Sequence, residues 1–254
     1  MSNYFRMLGI LFATTGMSAG VFTSLCLAQE ELRLVHHIPP PRTIFDTWIY
    51  ISNGSEADQE FQLAGFLRDG QPLEISSGNV AAGEVLRLKS TDLFANPTPS
   101  HFFVRGEVRV SLQYTSPFAE TYDLYVPEHE VVGDRFRLFC QDWEGQFVGI
   151  AAVNLGDDAA LISVRRAGFD GVAREAAVWS ETVPVLAKAV FSLDQLLLQA
   201  VDPPCTIDIE SSQPLGLQIL RGDLPIRDGA RMEALLPTVL RSRTPLADPW
   251  NDQP

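Results

Sequence analysis

The chain beyond residue 28 lacks the short motifs that mark common hydrolases and nucleotide-binding enzymes. It contains no Gly-x-Ser-x-Gly, no His-Glu-x-x-His and no glycine-rich phosphate loop. Histidine is scarce, and its four copies all lie before residue 130, at His36, His37, His101 and His129. These absences weigh against serine hydrolase and zinc hydrolase activity, so we predict a protein without catalytic residues.

Basic residues are also few, and they form no large cluster. The chain has 19 Lys and Arg against 32 Asp and Glu, which gives a formal net charge of −13. Arg165-Arg166 and the pair Arg241 and Arg243 are isolated. Because an acidic surface repels phosphate backbones and anionic head groups, we expect neither nucleic acid nor an anionic lipid surface as a partner.

Charged residues are almost absent from the first 28 positions. Arg6 is followed by an apolar stretch that runs to Ala28, and the first acidic residue is Glu30. This profile predicts a signal peptide over residues 1–28 and a secreted or periplasmic protein with no membrane span after cleavage. The alternative is a retained N-terminal anchor, because the stretch is nearly long enough to span a bilayer.

Cysteine occurs three times, and Cys26 belongs to the predicted signal peptide. The remaining Cys140 and Cys205 form an even pair in an exported protein, which favours a disulfide between them. The alternative is two buried free thiols that pack as small hydrophobes.

Short runs of alternating apolar and polar residues are what the chain does have. The clearest runs are 61–67, 85–88, 108–114, 136–139 and 205–210. Alternation of this kind is typical of strands with one buried face, and the intervening segments are rich in Gly, Pro, Asn, Asp and Ser. We therefore predict an all-β protein with two short helical turns, at 90–94 and 192–197.

The same order of signals occurs twice along the chain, as strand-ending asparagines and Asp-Gly turns. These are Asn53 and Asn154, then Asp69-Gly70 and Asp170-Gly171. Members of each pair are 101 residues apart, and this constant offset predicts an internal duplication. The predicted plan is a β-sandwich domain over 29–130, a second over 131–240 and a disordered tail over 241–254.

Further signals follow the same order in both copies. The first copy has Trp48 at the head of its strand, Ala82-Gly83 and Ser116-Pro117; the second has Gly149 at the place of Trp48, and Gln213-Pro214. With the repeated Asn and Asp-Gly signals, this unit resembles the tandem immunoglobulin-like or fibronectin-like β-sandwich modules of bacterial exported proteins. The resemblance implies two tandem antiparallel sandwiches in an exported protein, and it implies no catalytic residues.

An aromatic cluster in the first copy is one candidate ligand-binding site, because exposed rings on a sandwich face hold sugars in many binding modules. The cluster comprises Tyr114, Phe118, Tyr122 and Tyr125. Positions 122 and 125 have opposite parity and do not share a strand face, so packing in the core or at an edge is the alternative. Tryptophans within apolar strands are expected in the core: Trp48, Trp143 and Trp179.

His36 and His37 are the second candidate. Neighbouring strand residues point to opposite faces, so the pair does not chelate one metal without a bend, and we expect an exposed pair at a strand end. Turn acids such as Asp157-Asp158 leave calcium as an alternative, although no twelve-residue calcium loop is present. We predict no metal site and no cofactor.

Together these features predict a non-catalytic binding, adhesion or assembly module with a protein or glycan partner at the cell envelope or outside the cell. Two alternatives remain open. One is an exported polysaccharide-active enzyme that uses loop carboxylates. The other is a periplasmic chaperone-like protein that donates an edge strand to a client.

Overall fold

Strands account for most of the described chain, so the all-β prediction is confirmed. The structure is a computed structural model, and it gives only the backbone at 119–122, 140 and 167. It describes residues 33–40, 45–94, 97–116, 119–128, 131–140, 145–167, 177–193, 205–224 and 229–250. The predicted signal peptide therefore lies outside the described residues.

The elements follow one another as short strands with one helical turn. They are β1 (Arg33–Val35), β2 (Asp46–Ser52), β3 (Gln59–Phe66), β4 (Ser76–Val80), β5 (Val85–Lys89), α1 (Ser90–Leu93), β6 (His101–Arg105), β7 (Arg109–Ser116), β8 (Ala119–Pro127), β9 (Val132–Cys140), β10 (Gln146–Asn154), β11 (Ala160–Ala167), β12 (Trp179–Val183), β13 (Lys188–Ser192), β14 (Cys205–Asp223), β15 (Met232–Leu235) and β16 (Thr238–Ser242). The predicted turn at 90–94 is present as α1, and most of 192–197 lies outside the described residues.

The first eight strands form two antiparallel four-stranded sheets with the orders β1-β6-β3-β4 and β5-β2-β7-β8. Strand β2 shows how they share a core, because Ile49 and Ile51 are fully buried while Trp48 and Tyr50 are only half-buried. Ile49 and Ile51 pack in one cluster with residues of β3 such as Phe61 and Leu63. The opposite face of the β5-β2-β7-β8 sheet therefore points away from this core.

The later strands form one eight-stranded antiparallel sheet that is organised around the long strand β14. The first part of β14 pairs with β9 and β11, and the part after Leu215 pairs mainly with β10 and β15. The register shifts between Glu210 and Leu215, so an irregularity separates the two parts. A second core cluster includes Phe136, Ile150 and Ile207.

A third apolar cluster joins the early and late strands. Leu34, Phe66 and Phe103 from the early strands pack with Leu155 and Leu186 from the late ones. Buried apolar side chains on both sides give these two parts of the chain a common core, so separating them would expose apolar surface to water.

One glycine is required for this contact. A Cβ on Gly216 of β14 would lie 2.6 Å from Leu34 Cδ2 and 2.9 Å from His36 Nε2. A side chain at position 216 would therefore force the side chains of Leu34 and His36 to move.

The C-terminal segment is ordered as far as Trp250, contrary to the disordered tail that the sequence predicts over 241–254. Strand β16 pairs with β9. The N–H groups of Leu246 and Ala247 both donate to the carbonyl of Leu155, at 2.8 and 3.0 Å. The Arg105 guanidinium lies 4.2 Å from the centre of the Trp250 ring. The edge of β9 and the carbonyl of Leu155 thus bind a segment that the sequence predicts to be disordered.

Candidate functional site

The outward side of the β5-β2-β7-β8 sheet carries a group of aromatic, cationic and amide side chains. We call it the aromatic face, and it consists of Trp48, Tyr50, Arg87, Lys89, Gln113 and Tyr125. Strand register explains the grouping, because Lys89 pairs with Trp48, Trp48 with Gln113, and Gln113 with Tyr125. One row of the face thus crosses all four strands, and Arg87 and Tyr50 form the next row.

Cations lie over the rings on the β5 side of the face. The Arg87 guanidinium carbon lies 4.0 Å from the centre of the Trp48 ring and 5.7 Å from that of Tyr50. Lys89 Nζ lies 5.1 Å from the Trp48 ring. Such contacts hold a cation by the electrostatic attraction of the ring face and limit the freedom of both side chains.

Hydrogen bonds order the other side of the face. The Tyr50 hydroxyl donates to Gln113 Oε1 at 2.8 Å, and Gln113 Nε2 donates to Asp123 Oδ2 at 3.3 Å. The rings of Tyr50 and Tyr125 are 5.8 Å apart, and Tyr125 is 56% exposed. A hydrogen bond with Tyr50 raises the pKa of Tyr125, so the Tyr125 phenol stays a protonated donor and acceptor near neutral pH.

Arg87 and Lys89 differ from most cations of the described chain in having no carboxylate partner there. Ion pairs with Asp or Glu involve Arg33, Arg109, Arg135, Arg137, Arg165, Arg221, Arg241 and Arg243. Within the described ranges, Arg87 and Lys89 instead contact aromatic rings. Their positive charge is therefore available at the surface.

A second polar group lies where the early and late strands meet, and we call it the buried lysine cluster: Lys188, His37, His101 and Ser100. Lys188 Nζ is 3.0 Å from His37 Nδ1 and donates to the carbonyl of Ser100. The Ser100 hydroxyl lies 2.8 Å from His101 Nδ1, and His101 Nε2 lies 3.0 Å from the carbonyl of Leu186. Since a carbonyl only accepts, His101 carries its proton on Nε2 and accepts from Ser100.

Burial controls the protonation of this cluster. Desolvation lowers the pKa of Lys188 well below its ordinary value, and the charge of Arg68 lowers it further. Desolvation, and then the proximity of Lys188, also lowers the pKa values of His37 and His101. Each of the three groups therefore favours its neutral form, and their mutual proximity makes protonation of any one of them more costly.

A small apolar cavity of about 90 Å³ adjoins the buried lysine cluster. Its lining includes His37, Phe45 and Tyr114 from the early strands and Gly149 and Gln218 from the late ones. The Tyr114 hydroxyl donates to the carbonyl of His37 at 2.6 Å, and Gln218 Nε2 donates to that hydroxyl at 3.3 Å. Burial raises the pKa of Tyr114, so this phenol is a fixed neutral contact.

The structure divides the residues of the predicted aromatic site between two places. Tyr114 is 1% exposed and faces the interior, as the core alternative has it, whereas Tyr125 belongs to the aromatic face. Phe118 lies outside the described residues, and Tyr122 is described only as backbone in β8. The predicted cluster is thus not one surface, since β7 and β8 direct Tyr114 and Tyr125 to opposite sides of their sheet.

Two other expectations differ from the structure. His36 is 1% exposed and His37 is partly buried, whereas the sequence predicts an exposed pair. The sequence predicts a core position for Trp48, but Thr47, Ile49 and Ile51 occupy the inward side of β2 and leave Trp48 outside. The third expectation, a core position for Trp179, agrees in part, because its ring packs 4.4 Å from that of Phe191. Trp143 lies outside the described residues.

Cys140 and Cys205 are directly opposite each other in the pairing of β9 with β14. Opposed residues in antiparallel pairs have Cα atoms about 4.5 to 5.5 Å apart, which lies within the range that a disulfide spans. Cys205 is buried. The backbone register therefore permits the predicted bridge, which stays a prediction.

Among the described residues, no group of three or more His, Cys, Asp or Glu side chains is arranged to hold a metal ion. Within the same ranges, no helix has the length and apolar character needed to cross a membrane.

Comparison with known proteins gives no relative from which a function could be transferred. No family model matches the chain, and no curated protein or solved structure matches it either. The chemistry of the chain's own surfaces is therefore what indicates a function.

Proposed function

We propose that this protein is an exported, non-catalytic binding module that holds a glycan on its aromatic face. The observation that carries the proposal is the presence of three aromatic rings, Trp48, Tyr50 and Tyr125, on one outward sheet face. A sugar offers flat C–H faces that pack on rings and hydroxyls that need hydrogen-bond partners. The hydroxyls of Tyr50 and Tyr125 supply such partners beside the rings.

The proposed architecture is two β-sandwich domains related by internal duplication. Its support is a recurring strand order, because β1-β6-β3-β4 and β5-β2-β7-β8 correspond to β9-β14-β11-β12 and β13-β10-β14-β15. Ile49 pairs with Leu88 and Leu112, and Ile150 pairs with Phe191 and Ile219. These registers align the strands of the two copies residue by residue.

In this alignment, the residues of the aromatic face differ from those at the equivalent positions of the second copy. Trp48 corresponds to Gly149, Tyr50 to Ala151, Arg87 to Val190 and Gln113 to Leu220, all of which line the cavity beside His37 and Tyr114. In the second copy this sheet face packs against the first copy and carries small or apolar residues. Large rings and cations occupy the same face where the described chain packs nothing over it, which supports a binding role.

An exported location is part of the proposal and has its support in the N-terminal sequence. Residues 1–28 combine one arginine with an apolar stretch and no acidic residue. Glycans of a cell envelope or of the medium would then be within reach of the aromatic face.

Glycan-array binding by the exported protein tests this proposal. We expect binding to selected glycans, and we expect Trp48→Ala and Tyr125→Ala each to weaken it by about tenfold or more, as for buried aromatic contacts in other interfaces. Phe139→Ala is the matched control, because Phe139 is 52% exposed on a different sheet. Absence of binding to all glycans, or equal binding by all variants, would refute the proposal.

A further inference from the structure

We infer that the aromatic face selects acidic glycans, namely chains that carry carboxylates such as uronic acids. The inference rests on the proposed glycan-binding function and specifies its ligand. It follows from Arg87 and Lys89, which add positive charge to a ring platform on a protein whose formal net charge is −13.

The charge of the aromatic face is unevenly distributed. Arg87 and Lys89 are two residues apart on β5 and point to the same side as Trp48 and Tyr50. Two acids border the face: Asp46 lies two residues before Trp48 on the same side of β2, and Asp123 on β8 accepts a hydrogen bond from Gln113. The positive charge of the face is therefore concentrated on β5.

Arg87 and Lys89 are not neutralised by acidic side chains of the described residues. Eight other arginines of the described chain lie within 4 Å of a carboxylate. In an acidic protein this pairing is the expected state of a cation. Arg87 and Lys89 have no such partner within the described ranges, so a carboxylate from a ligand would meet unneutralised donors.

The position of the Arg87 guanidinium also suits a carboxylate ligand. Arg87 lies 4.0 Å from the Trp48 ring and 5.7 Å from the Tyr50 ring, so its guanidinium is already held beside the platform. A planar guanidinium binds a carboxylate through two parallel N–H···O bonds. A sugar ring packed on Tyr50 or Tyr125 would bring a carboxylate substituent within reach of the Arg87 guanidinium. Because that side chain is already held in place, binding would cost it little further conformational entropy.

The negative net charge of the protein restricts attraction of an acidic ligand to the aromatic face. An acidic polymer is repelled by the protein as a whole, so binding requires direct contact with Arg87 and Lys89. Hydrogen bonds to charged groups are the strong ones, and removal of one partner corresponds to about a tenfold loss of affinity. We therefore expect an acidic glycan to bind about tenfold or more tightly than the same chain with its carboxylates blocked.

Calorimetry with matched ligand pairs tests the inference. The probes are oligogalacturonate and its methyl ester, and alginate oligosaccharide and its carboxyl-reduced form. We expect tighter binding of the acidic member of at least one pair. Arg87→Gln with Lys89→Gln should abolish this preference, so that the acidic and neutral members of a pair bind with equal affinity. Arg231→Gln is the control, because it removes one exposed arginine outside the aromatic face.

The outcomes separate the two proposals. Equal binding of acidic and neutral members, with loss of both in Trp48→Ala, overturns the acidic preference and leaves glycan binding in place. A preference that persists in the Arg87→Gln, Lys89→Gln variant also overturns the inference, because other residues then read the carboxylate. If no member of either pair binds and the glycan array is also negative, the proposed function itself fails.

Discussion

Asn53 and Asn154 make the same three side-chain hydrogen bonds, each at the end of its strand. In both, Nδ2 donates to the carbonyl of the residue four positions later in the chain, at 2.7 and 2.8 Å. Oδ1 accepts a hydrogen bond from the N–H of the residue two positions later, at 2.9 Å. Asn53 Nδ2 also donates to the carbonyl of Val80, and Asn154 Nδ2 also donates to the carbonyl of Val183, each at 3.0 Å. One amide thus fastens a turn to a distant strand.

We expect Asn53→Ala and Asn154→Ala to destabilise the protein by a similar amount. Both amides are buried, and each substitution leaves buried backbone groups without a partner, so the free energy of unfolding should fall by about 2 to 3 kcal/mol. Chemical denaturation measures this change. Asn79→Ala is the control, because Asn79 is exposed on β4 and its loss should change stability by less than about 0.5 kcal/mol. A value for Asn154→Ala close to the control would argue against equivalent roles.

Stability should depend on pH through the buried lysine cluster. Lys188 has a lowered pKa in the folded protein, so the unfolded chain binds more protons wherever the pH lies between the folded value and about 10.4. Stability therefore rises with pH in that window, by up to about 1.4 kcal/mol per pH unit. His37 and His101 act in the same direction below about pH 6.5, where the unfolded histidines protonate first.

Denaturation midpoints measured from about pH 5 to pH 10 check this expectation. Lys188→Met should flatten the alkaline part of the profile and leave the histidine part below about pH 6.5. Lys89→Met is the matched control, because it removes the only other lysine and that residue lies on the surface. The idea fails if both variants keep the slope of the parent protein. Groups whose charges act on the cluster are Arg68 and the neighbouring His36, and both stay in place in these variants.

The two lysines should also differ in chemical reactivity. Lys89 is partly exposed, whereas Lys188 is 4% exposed and held by His37 and the carbonyl of Ser100. We expect an amine-reactive reagent to label Lys89 in the native protein and to reach Lys188 only after denaturation. Peptide mass spectrometry measures both sites in one sample. Equal labelling of Lys188 under native conditions would show that the contact between the early and late strands opens readily.

The opposed cysteines should be bridged in the exported protein. The pairing of Cys140 with Cys205 sets their Cα atoms within disulfide range, and an oxidising compartment favours the bond. Alkylation before and after reduction, followed by peptide mapping, should find both thiols blocked only in the unreduced sample. Full alkylation without reductant would exclude the bridge. Cys140→Ser with Cys205→Ser should then show the lower stability that loss of a disulfide brings.

Strand content was predictable from the sequence because alternation leaves a direct mark on it. The face that each strand buries was harder to predict, and β2 shows why. An apolar strand with Trp48, Ile49, Tyr50 and Ile51 offers apolar residues to both sides, so hydrophobicity alone does not choose between them. Packing against β3 placed the isoleucines inside, and the tryptophan consequently joined the surface.

The aromatic face escaped the sequence analysis for a related reason. Its members come from strands that are distant in the chain, and only the pairing of β2 with β5 and β7 brings Arg87, Trp48 and Gln113 into one row. One available signal was parity, since Trp48 and Tyr50 alternate with the isoleucines of the same strand. A sequence shows that alternation, but it does not show which side is covered.

The strand-rich fold and the turns that follow Asn53 and Asn154 could be predicted from the sequence alone. These depend on local preferences and on side chains that bond to nearby backbone, as Asn53 and Asn154 do. The locations of His36, Lys188 and Trp48 could not be predicted in this way, because each depends on contacts between segments far apart in the chain. Gly216 makes room for His36, the meeting of early and late strands encloses Lys188, and the filled core leaves Trp48 outside.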